Sequence, residues 1–270
     1  MNYLKDYREG EKFVGTYLCK QKQILKTKAG KTYYSLTLQD KTGTADGKIW
    51  ELNNGIANFE PMDYIHCEGM VTSFQGNLQM NISRVRISDE GEYDPADYVP
   101  CTNKDVGEMF SRILKYVASV QNKYLRKILE MYFVENKEFV DAFKKHSAAK
   151  SVHHGFMGGL LEHTLSVTDM CQYFAEHYPM IHRDLLITAA LFHDMGKIQE
   201  ISDFPMNDYT DDGQLLGHIY IGARCMENAA AQIPNFPPKL KNELVHCILA
   251  HHGKMEFGSP KVPAIMEAMA

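Results

Sequence analysis

The histidines of this chain of 270 residues are concentrated in one part of it. Of twelve histidines, only His66 precedes residue 146. In the stretch LFHDMGK, His193 and Asp194 continue an apolar helical run whose inward stripe includes Ala189 and Ala190. Neutral imidazole nitrogens and carboxylate oxygens are natural ligands of Zn, Mn and Fe ions. The pattern therefore indicates metal chemistry in the second part of the chain.

Three further helical segments place histidine at the same kind of inward position. A buried histidine that satisfies its own hydrogen bonds would explain any one of them. Several unpartnered imidazoles in one interior would be costly to bury, and a shared metal centre removes that cost. The predicted metal ligands are His163, His193, Asp194, His218, His251 and His252.

These side chains outnumber the ligands of a single tetrahedral site, and one aspartate can bridge two ions. We therefore expect two divalent transition metal ions, which could together hold a hydroxide and clamp a phosphate oxygen. Asp194 is the predicted bridge and a predicted catalytic residue. Lys197, one helical turn beyond His193, is predicted to neutralise a phosphate oxygen. The alternative for Lys197 is a solvated lysine at a helix end.

The elements that must position these residues fall into two domains. Residues 1–88 predict five short strands and a small closed barrel, because stretches such as KTYYSLTLQD alternate apolar and polar side chains. The acidic, proline-containing segment that follows predicts a linker over residues 89–103. Residues 104–270 carry apolar residues at helical spacing and predict an all-α domain. Asp184 is the predicted N-cap of the helix that leads into LFHDMGK.

The barrel half offers a second set of candidate functional residues. It carries a small excess of Lys and Arg, whereas the remainder is acidic and the whole chain has a net charge of −5. Small five-stranded barrels often bind single-stranded nucleic acid by stacking bases on aromatic side chains beside a basic groove. The alternative for these aromatic side chains is packing against the other domain. The predicted nucleic-acid contacts are Tyr33, Lys48, Trp50, Phe74, Arg84 and Arg86.

Composition bounds the class of protein. Apolar residues make up 44% and charged residues 23% of the chain, as is ordinary for a globular protein. No apolar run approaches the roughly 20 residues of a membrane span. The N-terminal stretch MNYLKDYREGEK lacks the apolar segment of a signal peptide. Six scattered cysteines without a CxxC motif predict reduced thiols and a cytoplasmic location, with no membrane partner.

The order of the motifs, from KTYYSLTLQD through LFHDMGK to HHG, resembles that of the YhaM-type 3′-to-5′ exoribonucleases across nearly the whole chain. That family joins an OB-fold to an HD domain of the metal phosphohydrolase type. The resemblance implies a multi-domain protein with an N-terminal five-stranded OB-type barrel and an all-α HD-type domain. It also implies Mn²⁺-dependent removal of nucleoside 5′-monophosphates from the 3′ end of single-stranded RNA, and often DNA. Iron, zinc, cobalt and nickel are the alternative metals.

The same resemblance bears on residues outside the inward stripes. His153 and His154 match a histidine pair that the family has upstream of its first ligand. His154 is therefore a candidate catalytic residue along the substrate path, and a loop cap is the alternative. HD domains also supply a last aspartate from a late helix, but no aspartate follows Asp212, which leaves Glu256 and Glu267 as late carboxylates. The resemblance implies either an HD domain truncated at residue 270 or one incomplete metal site.

Two other functions fit the same residues. An HD-type centre alone permits a phosphohydrolase of nucleotides or cyclic dinucleotides. The second alternative is a non-catalytic factor that binds single strands and has a structural metal. The sequence leaves open whether the protein forms homo-oligomers.

Overall fold

The computed structural model describes residues 2–150 and 155–270. The chain divides into two compact units, Met1–Pro100 and Cys101–Ala270. The first unit is a closed β-barrel and the second is built from helices, which confirms the predicted fold class of a five-stranded barrel followed by an all-α domain. Within the described ranges, no helix is both long and apolar enough to cross a bilayer.

The barrel has the strand order β1-β2-β3-β5-β4 and closes through pairing of β4 with β1. Among the pairs of these five strands, only that of β3 with β5 is parallel. The strands are β1 (Lys12–Lys26), β2 (Thr32–Asp40), β3 (Gly43–Ile49), β4 (Tyr64–Phe74) and β5 (Asn77–Ile87).

The barrel interior follows from the period-two pattern of its strands. Leu36 and Leu38 of β2 point into the core together with Ile49 of β3, and all three are buried. The turn between these two strands is short, because β3 already begins at Gly43. Pairing of Asp40 with Gly43 leaves a two-residue connection that tightens the hairpin.

The first unit continues beyond its last strand. Tyr98 and Val99 are buried, and the Tyr98 carbonyl accepts a hydrogen bond of 2.9 Å from Gln39 Nε2. The Asp97 carboxylate accepts hydrogen bonds from the Tyr3 hydroxyl and from Lys41 Nζ. These contacts attach part of the acidic segment after β5 to the barrel.

The second unit contains ten α-helices within its described residues. A π-helical turn, Met131–Glu135, follows the second helix. The helices are α1 (Val106–Ser119), α2 (Lys123–Glu130), α3 (Lys137–Lys145), α4 (Gly159–His177), α5 (Arg183–Phe192), α6 (Lys197–Glu200), α7 (Asp211–Leu215), α8 (Gly217–Ala231), α9 (Pro238–Ala250) and α10 (Met266–Met269).

Helix α5 is the central helix of this unit. Every side chain from residue 185 to residue 192 is buried, and α5 packs against α4 and α9. The predicted N-cap was wrong: His182 caps α5, and its Nδ1 accepts a hydrogen bond from the Leu185 amide. Asp184 instead lies in the first turn, where it accepts hydrogen bonds from the amides of Gln121 and Asn122. The helix is thus fixed at its start and leads directly to the functional residues at its end.

Candidate metal centre

The end of α5 delivers two candidate ligands into the interior of the helical unit. His193 follows the last helical residue, and Asp194 is only 2% exposed. Gly196 then lies against the first turn of α8, because a Cβ atom at this position would come within 2.1 Å of the His218 carbonyl oxygen. The glycine of LFHDMGK therefore permits the close approach that brings His218 to the centre.

One carboxylate oxygen of Asp194 faces two histidines. Its Oδ2 atom lies 3.2 Å from His163 Nε2 and 3.3 Å from His193 Nε2. The two imidazole nitrogens lie 3.2 Å from each other. His163, His193 and Asp194 form one cluster of a kind that could hold a metal ion, which we call the Oδ2 group.

The other oxygen of Asp194 faces a different pair. Its Oδ1 atom lies 3.6 Å from His218 Nε2 and 3.6 Å from His251 Nε2. His252 joins these two histidines in a second cluster whose ligand atoms lie within 4.8 Å of one another. We call His218, His251 and His252 the Oδ1 group. Asp194 therefore contacts histidines of both groups.

Unpartnered atoms at this centre test whether a metal fits. Asp194 Oδ1, His218 Nε2 and His251 Nε2 are buried and have no hydrogen-bond partner among the described residues. Leaving such polar atoms unpaired in an interior costs free energy. A cation among an anionic oxygen and two imidazole nitrogens removes that cost, and these are the donor types that divalent transition metals prefer. The residues present therefore fit a metal.

The outer nitrogens of the histidines are fixed by hydrogen bonds that turn Nε2 toward the centre. An Nδ1 atom that donates its proton leaves the Nε2 lone pair for a cation. Three of the histidines pair Nδ1 with a backbone carbonyl oxygen at 2.7 Å: His193 with Ala190, His251 with Ile248, and His252 with Phe257.

His218 differs, because its Nδ1 pairs with a carboxylate. Glu200 Oε1 lies 2.9 Å from His218 Nδ1 and also accepts a 2.9 Å hydrogen bond from the His218 amide. Burial would raise the pKa of Glu200, but the hydrogen bonds from His218 lower that pKa below its ordinary value. The sequence reasoning did not identify Glu200. The available signal was its position three residues after Lys197 in a short helix beside the motif.

The protonation states at the centre suit metal binding. Burial would raise the pKa of Asp194, but the neighbouring imidazoles of His193 and His163 hold that pKa well below its ordinary value. Burial lowers the pKa of His251, so its imidazole is neutral over a wider pH range. An anionic carboxylate beside a neutral imidazole is the state in which both groups coordinate cations.

Lys197 and a cavity complete the site. Lys197 Nζ donates a 2.7 Å hydrogen bond to Asp194 Oδ2, and its side chain is 16% exposed. Lys197 also lines a cavity of about 450 Å³ together with members of both groups. The apolar part of this cavity includes Val167, Leu186 and Ala189. Through this cavity, a small molecule or the end of a chain can reach the candidate metal ligands.

The late carboxylates do not join the candidate ligands. Glu267 lines the same cavity, but its Oε1 accepts a 2.6 Å hydrogen bond from the His182 amide. Glu256 pairs with Lys254 on the surface. Neither belongs to the metal-type clusters found in the described residues. His154, the remaining candidate catalytic residue, lies outside the described residues.

The structure gives each nucleic-acid candidate of the barrel a definite environment. Tyr33 and Trp50 stack on each other with ring centroids 4.5 Å apart, and Trp50 is 39% exposed. Phe74 lies beside the β4–β5 turn and is more exposed. The basic candidates all have acidic neighbours: Lys48 pairs with Asp46, Arg84 with Glu68, and Arg86 with Glu92.

Comparisons with known proteins assign the family. Residues 160–266 match the HD domain family. The 3′-5′ exoribonuclease YhaM of Listeria innocua is 32% identical over 274 residues, which cover 98% of this chain and 84% of that protein. The protein of the same name from Bacillus subtilis is 31% identical, with coverage of 88% and 76%. This chain belongs to the 3′-5′ exoribonuclease YhaM family. The resemblance inferred from the sequence is thereby confirmed.

Membership makes the chain a hydrolytic enzyme of the nuclease class, and its HD domain implies binding of a divalent metal. Among solved structures, the second OB-fold domain of replication protein A from Methanococcus maripaludis is 20% identical. The match covers 34% of this chain and 98% of the replication protein A domain, with a TM-score of 0.27. At that score the strand order of the barrel, rather than this similarity, defines its fold.

Proposed function

We propose that this protein is a metal-dependent 3′-to-5′ exoribonuclease that degrades single-stranded RNA to nucleoside 5′-monophosphates. The observation that carries the proposal is the position of Asp194, whose two oxygens face two different groups of histidines. The relatives are named 3′-5′ exoribonucleases, and these names support the proposed direction of degradation and the RNA substrate.

Two ions are proposed, one for each oxygen of Asp194. His163, His193 and Asp194 Oδ2 would hold the first, and Asp194 Oδ1 with the Oδ1 group would hold the second. Mn²⁺ is the metal implied by the family resemblance, and the same imidazole and carboxylate donors also accept Fe, Zn, Co and Ni ions. When bound, such cations make hydroxide available near neutral pH and offset charge on phosphate oxygens.

The residues of the chain then have separate tasks. Asp194 supplies the negative charge that draws cations into the interior. The backbone carbonyls behind His193, His251 and His252 fix the imidazole planes, so the site is ordered before the substrate arrives. Lys197 supplies a cation at the cavity wall that would offset charge on a phosphate oxygen of the bound strand.

The bond that is broken defines the product. Hydrolysis that breaks the bond between phosphorus and the 3′ oxygen of the penultimate nucleotide releases a nucleoside 5′-monophosphate. A cavity of about 450 Å³ has the size of sites that bind small ligands. A single terminal nucleotide is a ligand of that size. We include single-stranded DNA as a further substrate, because the family resemblance implies it.

The barrel is proposed to bind the single strand. The stacked pair of Tyr33 and Trp50 offers a flat aromatic surface, and Phe74 offers another at the β4–β5 turn. Lys48, Arg84 and Arg86 are proposed as backbone contacts, although each would exchange an acidic partner for phosphate. A cytoplasmic location and homo-oligomerisation stay predictions.

Degradation of a defined oligonucleotide tests the proposal. A 20-nucleotide RNA labelled at its 5′ end should give a ladder of successively shorter products with Mn²⁺, and nucleoside 5′-monophosphates should be identified by chromatography. Chelation of the metal, or the Asp194→Asn substitution, should abolish both products. The proposal is wrong if the wild-type protein with Mn²⁺ leaves the RNA intact while it hydrolyses free nucleotides or cyclic dinucleotides.

A further inference from the structure

One histidine of the proposed metal centre has an outer partner of a different kind from the others described above. His218 Nδ1 faces the carboxylate of Glu200 at 2.9 Å, whereas three of its neighbours face backbone carbonyls. A carbonyl oxygen is a neutral acceptor, but an ionised carboxylate carries a full negative charge. The difference is confined to one member of the Oδ1 group.

Glu200 is held firmly in this position. It is one of the few buried acidic residues of the described chain, with 8% of its surface exposed. Its amide donates to the Gly196 carbonyl, and its own carbonyl accepts a 2.9 Å hydrogen bond from the Thr210 amide. Gly217, which adopts a left-handed backbone with φ of +71°, turns the chain so that the His218 amide and ring nitrogen both reach Glu200 Oε1.

The chemistry of this contact determines what it does. An ionised carboxylate only accepts hydrogen bonds, so the proton of the His218 imidazole must lie on Nδ1. The lone pair of Nε2 is then directed toward Asp194 Oδ1, which lies 3.6 Å away. A carboxylate behind a coordinating imidazole also raises the basicity of the other nitrogen and fixes the ring orientation.

We infer that Glu200 is a positioning residue that acts through His218 to strengthen metal binding at the Oδ1 group. The inference rests on the proposed function, because it requires an ion at that group. Glu200 itself does not touch the substrate. We expect a selective effect, because Glu200 contacts His218 of the Oδ1 group, whereas His193 of the Oδ2 group has a backbone carbonyl behind its ring.

A structural role for Glu200 as a cap of α8 must be separated from this effect on the metal. Glu200→Gln keeps an oxygen that can accept from the His218 amide but loses the charge. Asp184→Asn is the matched control, because Asp184 is also a carboxylate of low exposure that accepts two amide hydrogen bonds within the helical unit. The side chains are similarly buried, with exposures of 11% for Glu200 and 13% for Asp184.

The test is a titration of the metal-free full chain with Co²⁺. Calorimetry measures the affinity for each ion, and visible d–d absorption reports on its coordination. The wild type should bind two ions. Glu200→Gln should bind one of them about 10–100-fold more weakly, as is typical when an outer-sphere partner is lost, with an altered absorption band. The second ion should bind as in the wild type. Asp184→Asn should bind both ions normally, and Glu200→Asp, which keeps the charge, should lose less affinity than Glu200→Gln.

Two results would overturn the inference. One is a Glu200→Gln protein that binds both Co²⁺ ions with wild-type affinity and spectrum. The other is nuclear magnetic resonance of the metal-free wild type that finds the His218 proton on Nε2 instead of Nδ1, a measurement that does not depend on any variant folding. A wild type that binds no Co²⁺ through the Oδ1 group would instead refute the proposed function, and with it this role of Glu200.

Discussion

Lys197 Nζ donates a 2.7 Å hydrogen bond to Asp194 Oδ2, the oxygen that also faces His163 and His193. The ammonium group therefore lies beside one of the two proposed metal positions, with only a small part of its side chain exposed. Such a charge can both neutralise a phosphate and compete with a cation for the same oxygen. These two effects predict opposite changes in activity and in metal affinity when the charge is removed.

Lys197→Met should lower kcat/KM on single-stranded RNA by about 10²–10³-fold, the scale seen when one preorganised electrostatic group is lost. Affinity for Mn²⁺ should be equal to or higher than that of the wild type, because a competing cation has gone. Steady-state kinetics and calorimetry measure the two quantities. Lys127→Met is the control, since Lys127 pairs with Glu135 on the surface and should tolerate the change. Wild-type kcat/KM for Lys197→Met would refute this role.

Gly196→Ala should disturb the centre without altering any ligand. Its new Cβ would meet the His218 carbonyl oxygen at 2.1 Å, and no rotamer can relieve a clash with backbone. We expect a loss of about 1–3 kcal/mol in the free energy of unfolding, the usual range for overpacking, together with weaker metal binding.

Gly222→Ala is a matched control for that substitution. It lies in α8 near the same contact, but its Cβ would meet neighbouring atoms only at 3.5 Å or more. Because alanine favours a helix interior over glycine, this variant should be at least as stable as the wild type. Urea unfolding and Mn²⁺ calorimetry compare the two variants. Equal behaviour of the two would contradict the close approach described for Gly196.

The metal-free protein should become less stable as the pH falls below the ordinary histidine range. Burial lowers the pKa of His251 in the folded state, so below its ordinary value of 6.5 the unfolded chain binds more protons than the folded chain. The free energy of unfolding therefore decreases from pH 7 toward pH 5. The pKa of Asp194 is also lowered in the folded state. The stability that this carboxylate contributes is fully present above its ordinary pKa of 3.8, so it does not change between pH 7 and pH 5.

His251→Gln should reduce the pH dependence of the unfolding free energy between pH 7 and pH 5. Urea titrations of the metal-free protein at several pH values measure it. His177, which is exposed and bonds only locally to the Tyr173 carbonyl in the described contacts, provides the control variant His177→Gln. A slope that is the same in the wild type and in His251→Gln would show that His251 does not carry the effect.

Trp50→Ala should weaken binding of single-stranded RNA by about 1–3 kcal/mol, the contribution of one base stacked on an aromatic side chain. The substitution removes the more exposed member of the Tyr33–Trp50 stack and leaves the core leucines of β2 in place. Fluorescence anisotropy of a labelled RNA in the presence of a chelator measures binding without degradation. Tyr178→Ala, which removes an exposed aromatic side chain from the helical unit, should have no effect. Equal losses in both variants would argue against a specific site on the barrel.

Much of the barrel could be predicted, because its information is local. Alternation in β2 placed Leu36 and Leu38 on the buried face, and the structure has both in the core. The parallel pairing of β3 with β5 could not be read from the chain, since it joins segments that are far apart in sequence. No start was predicted for β3 either, and the strand begins at Gly43 with a pairing to Asp40.

The candidate site was predictable to the extent that each histidine follows an apolar stripe of its own helix. From these stripes we expected His163, His193, His218 and His251 to face one interior. In the structure the Nε2 atom of each lies near an oxygen of Asp194. The contact of Glu200 with His218 escaped this prediction, because a single acidic residue after a lysine looks like a solvated helix end. The role of Gly196 escaped it too, since only the packing of α8 reveals the contact.

The most direct test of the central claim is diffraction from crystals grown with Mn²⁺, using anomalous scattering to count and locate the ions. We predict two anomalous peaks, one for an ion held by Asp194 Oδ2 with His163 and His193, and one for an ion held by Asp194 Oδ1 with His218, His251 and His252. Absence of bound metal from these histidines, or a single ion that leaves one oxygen of Asp194 without a metal, would contradict the account.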